Sequence, residues 1–240
     1  MFYRSSTMNR AYYLFFLLLA TACGGNSPDE KTNTSQTSSA QTTQTQAPAV
    51  SATSYLDSLV LINSETELRK IYGDASVTFD TLWGPEASWE LATYLFKGTA
   101  DELAVVWQNS SARSGMAIVK ISSLMEADKP IAYKGRWKTI AGVLPGLTLD
   151  KLQAINGKPF NFSGFGWDYG GGVADWNGGS LDKSGISVQL IESPAVYEFM
   201  EQDELALVTG DHLVLSDEPV LKKMKVQVIS VLFTPNVRGF

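Results

Sequence analysis

Two carboxylates, Asp168 and Asp175, stand among aromatics and glycines in the stretch GFGWDYGGGVADWNGG, which runs from Gly164 to Gly179. A pair of carboxyl groups can hydrolyse a glycosidic bond, one as acid and one as base or nucleophile, with Trp167, Tyr169 or Trp176 as a platform for the sugar. That chemistry needs a set carboxyl separation, which sequence spacing does not supply. Asp182 or Glu192 would serve as well on paper. Two other readings use the same residues. The aromatics could fill a core while the aspartates bond turn amides, or Trp167, Tyr169 and Trp176 could form a surface for a ligand or partner. Glycines within strands permit bends and close backbone approach. Gly170-Gly-Gly172 lacks the following Lys-Ser/Thr of a phosphate loop. His212, the one histidine, could act as a base near neutral pH. No GxSxG-type elbow accompanies it, and its place after Gly210-Asp211 suggests an exposed or hydrogen-bonded turn residue. One histidine and one cysteine exclude most metal-ligand sets. No metal site and no cofactor are expected.

The elements that would position these groups begin well into the chain. Arg10 precedes an apolar run, Ala11 to Ala20, about half the roughly 20 residues that a membrane-spanning helix needs. A basic start and a short apolar core have the form of a secretory signal. The run ends in Ala20-Thr21-Ala22-Cys23, which resembles the lipobox of bacterial lipoproteins, with Ala20 where that family usually has Leu. The resemblance implies a signal peptide over 1–22, cleavage before Cys23 and lipid on its sulfur and new amino group. Several acyl chains, at ~0.8 kcal/mol per buried CH₂, would anchor the protein stably. Gly24 follows, where an Asp would suggest inner-membrane retention, so the resemblance favours the outer membrane. The start could also lie at Met8. Residues 23–53 are mostly Thr, Ser, Gln and Ala and cannot bury enough surface to offset chain entropy. They read as a tether with a reach of roughly 30 Å. Loss of Arg4 and Arg10 with the leader leaves 17 basic against 25 acidic residues, about −8 in all. That balance repels a phosphate backbone, so nucleic acid is not expected as a partner.

The folded part reads as α+β, with two related halves over 54–130 and 131–240. Each half is a short helix packed on antiparallel strands. Ser64-Glu-Thr-Glu67 fits a capping box, followed by Leu68, Ile71 and Tyr72 at helical spacing and by Gly73 as a stop. Thr148 opens the same construction, with Leu149, Leu152 and Ile155 and a stop at Gly157. The offset pairs Trp83 with Trp167, and Trp107-Gln-Asn resembles Trp176-Asn-Gly. Strands are expected at Ala92–Phe96, Leu103–Trp107, Met116–Ile121 and Ile186–Ile191, and hairpin arms at Leu205–Val208 and His212–Leu215. A strand ending at Tyr169 and another starting at Val173 would turn on the triple glycine, with Trp167 and Tyr169 on one face. Asp217 could cap a short helix with Pro219 in its first turn. Lys225 to Thr234 is apolar on both faces, which predicts a central or covered strand.

The segment from Gly146 to Pro159, GLTLDKLQAINGKP, resembles the repeat of small outer-membrane assembly lipoproteins and of β-lactamase-inhibitor-like domains. Those follow the helix with antiparallel strands and bind proteins on the sheet. Leu147 stands where they have Met, and the first half lacks the opening Gly and the Pro. The folded part also resembles a class of bacterial lipoproteins carrying GFGWDYGG, a likeness that implies no activity and no functional residue. The expectation is a lipid-anchored envelope protein, non-catalytic, that binds a protein or envelope component, with an envelope protein or a glycan as the partner. The surface expected to do so is a sheet face carrying Trp83, Trp107, Trp167, Tyr169 and Trp176. The alternative is an envelope glycan hydrolase acting through Asp168 and Asp175.

Overall fold

Ser64 and Glu67 start the main helix of the first half. The Ser64 hydroxyl accepts from the Glu67 amide at 3.3 Å. The Glu67 carboxylate reaches back to the Asn63 amide at 2.6 Å, one residue earlier than a simple capping box requires. The computed structural model describes residues 52–127 and 129–235. The leader, Cys23 and nearly all of the tether lie outside the described residues.

Two helices, α1 (Leu56–Leu59) and α2 (Glu65–Tyr72), precede four antiparallel strands. These are β1 (Val77–Trp83), β2 (Trp89–Leu95), β3 (Leu103–Asn109) and β4 (Ser114–Ser122). A two-residue ribbon follows, β5 (Met125–Glu126) with β6 (Lys129–Pro130). The second half opens with α3 (Leu149–Asn156), which Gly157 ends in the left-handed conformation. Next come β7 (Asn161–Ser163), β8 (Val173–Asp175) and β9 (Ile186–Ile191). The last elements are α4 (Val196–Phe199), α5 (Gln202–Ala206), β10 (Leu213–Leu215), α6 (Leu221–Met224) and β11 (Gln227–Phe233).

The fold is α+β. Strand order in the main sheet is β1-β2-β3-β4-β11-β9, and a smaller sheet runs β10-β7-β8. A bridge between Gly172 and Gln189 connects the start of β8 to β9. β11 lies between β4 and β9, as its two apolar faces predict. One core joins Leu56, Leu68 and Leu152 of the helices to alternate sheet residues such as Val105, Val119 and Val231. Among the described residues no helix is long and apolar enough to cross a membrane.

Three local expectations are corrected. Leu205–Val208 is no hairpin arm. α5 runs from Gln202 into its first two residues, Leu205 and Ala206, and β10 pairs with β7 instead. The Val208 carbonyl accepts from the Phe165 amide at 2.8 Å, so this segment is tied to the aromatic-glycine stretch. Pro219 lies outside α6, whose N-cap is Val220. The strand expected to end at Tyr169 stops at Ser163, and a loop occupies 164–172. Both halves run from a helix into antiparallel strands, but β7 and β8 have 3 residues where β1 and β2 have 7. Trp107 stands inside β3 and Trp176 follows β8, so these two do not occupy corresponding strands.

A buried polar chain ties α2 to the sheet. Glu65 is 4% exposed. Its carboxylate meets the Arg69 guanidinium at 2.8 Å and that of Arg113 at 3.1 Å. It also accepts from the Thr93 hydroxyl at 2.8 Å, and the same hydroxyl accepts from the Trp107 indole at 2.8 Å. Removing a carboxylate of this kind strands its partners. Glu65→Ala is expected to lower folding stability by about 3 kcal/mol in urea unfolding, and Glu65→Gln by clearly less.

Candidate functional site

The five aromatics expected on one face divide into two classes. Trp107 and Trp176 are 4% and 8% exposed and belong to the core. This corrects their assignment to a binding surface. Each indole N–H is satisfied internally, Trp107 on Thr93 and Trp176 on the Ile186 carbonyl at 3.0 Å. Trp176 also packs on Phe160, with ring centroids 5.0 Å apart. Trp83, Trp167 and Tyr169 are exposed, with Trp83 at 65%. Sequence reasoning missed a fourth, Trp89, at 63%. The available signal was two tryptophans flanking Gly84-Pro-Glu-Ala-Ser88, a turn composition.

The β1–β2 hairpin brings Trp83 and Trp89 opposite each other at its far end. β2 pairs with β3 only over Thr93–Leu95, so the hairpin tip is not paired with β3. Between the tip and the sheet lies a groove of about 370 Å³. Leu82, Ile118 and Leu232 give it apolar lining, Trp83 and Trp89 form part of its wall, and Glu90 and Lys120 add one charge of each sign. Leu232 and Lys120 are cross-strand partners on the sheet face opposite the helices. A small apolar cluster, Ala92, Tyr94, Ala104 and Val106, continues along that face. Lys120 is half-buried, and burial pulls its pKa below the usual lysine range while Glu90 opposes the shift.

The aromatic-glycine loop reaches the same hairpin. Asp168 accepts from the Glu86 amide at 3.1 Å, across the tip that carries Trp83 and Trp89. Trp167 and Tyr169 flank Asp168, with their rings 5.2 Å apart and tilted. The Trp167 indole donates to the Gly164 carbonyl at 2.8 Å. Asp175 accepts from the Asn177 amide at 2.8 Å. Both aspartates are exposed, and each is occupied with a backbone amide. Neither lines the groove beside Trp83 and Trp89. His212 is exposed, with a ring nitrogen 3.1 Å from the Leu207 carbonyl oxygen, as a turn histidine would be.

A larger groove of about 640 Å³ lies between α3 and α6. Asp150, Asp217, Glu218, Lys222 and Lys225 line it, mostly exposed and of mixed sign, so it presents no single chemistry. Among the described residues no group of three or more His, Cys, Asp or Glu could hold a metal ion.

The triple glycine serves close approach. The Gly171 amide donates to Ser163 at 2.7 Å, and its carbonyl accepts from Leu190 at 2.8 Å, sewing the loop to β9. A Cβ there would collide with the Leu190 carbonyl oxygen and press on the Phe165 ring, and φ is +80°. Gly166 also has a positive φ, but a Cβ would meet only Thr209, at 4.0 Å.

Comparison with protein-family models, curated proteins and solved structures finds no match to this chain.

The two glycines generate a paired prediction. Gly166→Ala is expected to cost about 1–2 kcal/mol from backbone strain. Gly171→Ala should cost distinctly more, because a backbone collision adds to the same strain. Urea midpoints of the two variants measured side by side check the order.

Proposed function

We propose that this is a lipid-anchored cell-envelope protein that works by non-catalytic binding. Its contact surface is the exposed aromatic rim of Trp83, Trp89, Trp167 and Tyr169 with the groove beneath it. One observation carries the reading: four large exposed aromatics border a single hydrogen bond, Glu86 to Asp168, beside an apolar groove. Exposed tryptophans cost solubility, and grouped ones mark contact sites more often than scattered ones do. The glycan-hydrolase alternative draws no support from Asp168 and Asp175, since each is bonded to a backbone amide and neither lines the groove.

Anchoring through lipid on Cys23 rests on the lipobox-like Ala20-Thr21-Ala22-Cys23, and placement in the outer membrane on Gly24. The partner would be a protein or another envelope component. Relatedness of the two halves belongs to the same proposal. It is supported by the shared order of a helix, a glycine stop with positive φ and antiparallel strands.

Two measurements test this. Growth with a labelled fatty acid should mark the wild-type chain, and Cys23→Ser should abolish the label. A photo-crosslinking residue at position 89 should capture a discrete envelope component, while one at Lys151, exposed on α3, should not. An unlabelled cytosolic chain would sink the anchoring half of the proposal. Equal capture patterns at 89 and 151 would sink the binding half.

A further inference from the structure

The groove beside Trp83 and Trp89 carries information about its occupant. Its volume of about 370 Å³ lies at the lower end of the about 300–1,000 Å³ of small-ligand sites. Its charged groups are a carboxylate that only accepts, Glu90, and an ammonium that only donates, Lys120, and Ser88 adds a hydroxyl. The two charges interact through space, but no ion pair or hydrogen bond joins them. A group that both donates and accepts can bridge such a pair, and a hydroxyl does so without adding charge. The groove holds one charge of each sign in a chain of net charge −6, which favours a neutral ligand over an anionic polymer.

The apolar part narrows the class further. Two tryptophans, each about two-thirds exposed, stand opposite each other at the hairpin tip. They suit a ligand with one apolar face and polar edges, since the edges can stay hydrated while the face stacks. A pyranose ring has that form. An extended peptide would need main-chain partners. At Lys120 and Leu232 the floor cannot supply them, because β4 and β11 are paired on both sides there. The edge of β2 over Trp89–Ala92 is not paired with β3, so capture of a peptide there is the rival outcome of the test. Trp167 and Tyr169 lie across the Glu86–Asp168 hydrogen bond, so a chain of several sugars would meet a second aromatic pair.

We propose that this groove binds a neutral oligosaccharide, with pyranose faces on Trp83 and Trp89 and hydroxyls held between Glu90 and Lys120. The inference rests on the binding reading above and names the ligand of the same surface.

The test uses the full chain, purified in a detergent whose headgroup is not a sugar. Cellotetraose, chitotetraose and maltotetraose are titrated while tryptophan emission and heat are followed. At least one should give saturable binding. Trp89→Ala should weaken it by about tenfold or more, and Glu90→Gln and Lys120→Met should each weaken it measurably. Circular dichroism of each variant separates loss of binding from loss of fold, and Lys151→Ala serves as a folded control that should bind normally. Absence of saturable binding to all three up to roughly 10 mM would overturn the proposal. So would binding that survives in a folded Trp83→Ala/Trp89→Ala double variant. If position 89 captures a protein in cells while no tetrasaccharide binds, the ligand class is wrong and the binding reading stands.

Discussion

The buried carboxylate of Glu65 holds the first half together. It sits at the first position of α2, where the helix dipole favours a negative charge. Two guanidiniums and the Thr93 hydroxyl satisfy its oxygens. Arg113 comes from the β3–β4 turn and Thr93 from β2, so one side chain links a helix to three strands in sequence. The Thr93 hydroxyl passes the link to the Trp107 indole in the centre of the core. A charge in this position is tolerated only while all its partners are present. The linkage fixes which face of the sheet the helix covers, and therefore which face is left open.

That open face is where the candidate surface lies. Alternation along β4 puts Val119 and Ile121 into the core and Ile118 and Lys120 on the other side. Early in the β1–β2 hairpin, Val77 and Leu95 are buried as partners in the main sheet. Beyond Thr93 the hairpin loses its pairing with β3, and its tip, with Trp83 and Trp89, stands over the open face. The Asp168 carboxylate holds the tip amide of Glu86 from the other half of the chain. A residue weighed as a catalytic acid thus serves as a clasp between two exposed aromatic pairs.

The glycine-rich stretch shows how a local pattern is misread for want of partners. Alternating aromatics followed by three glycines has the form of a hairpin. The structure ends the strand at Ser163 because Phe165 is drawn to Val208 and Gly171 is bonded to Leu190. Both partners are distant in sequence, so spacing within the stretch contained no sign of them. Trp89 was overlooked for a similar reason. Its neighbours, Trp-Glu-Leu-Ala, are compatible with a buried strand, and only the departure of the hairpin tip from β3 leaves it in water.

What the amino-acid sequence determined by itself is mostly local. Ser64 and Glu67 set the start of α2, the glycines at 73 and 157 its end and that of α3, and period-two apolar residues most strands of the sheet. Each depends on groups within a few residues of one another, where spacing is geometry. Only the tertiary structure decided which tryptophans are buried. Trp107 and Trp176 found hydrogen-bond acceptors inside the core, whereas Trp83 and Trp89 ended at a hairpin tip that no longer pairs with β3. All four have the same side chain, and burial depends on what the rest of the chain lays over it. No short stretch of sequence contains that information.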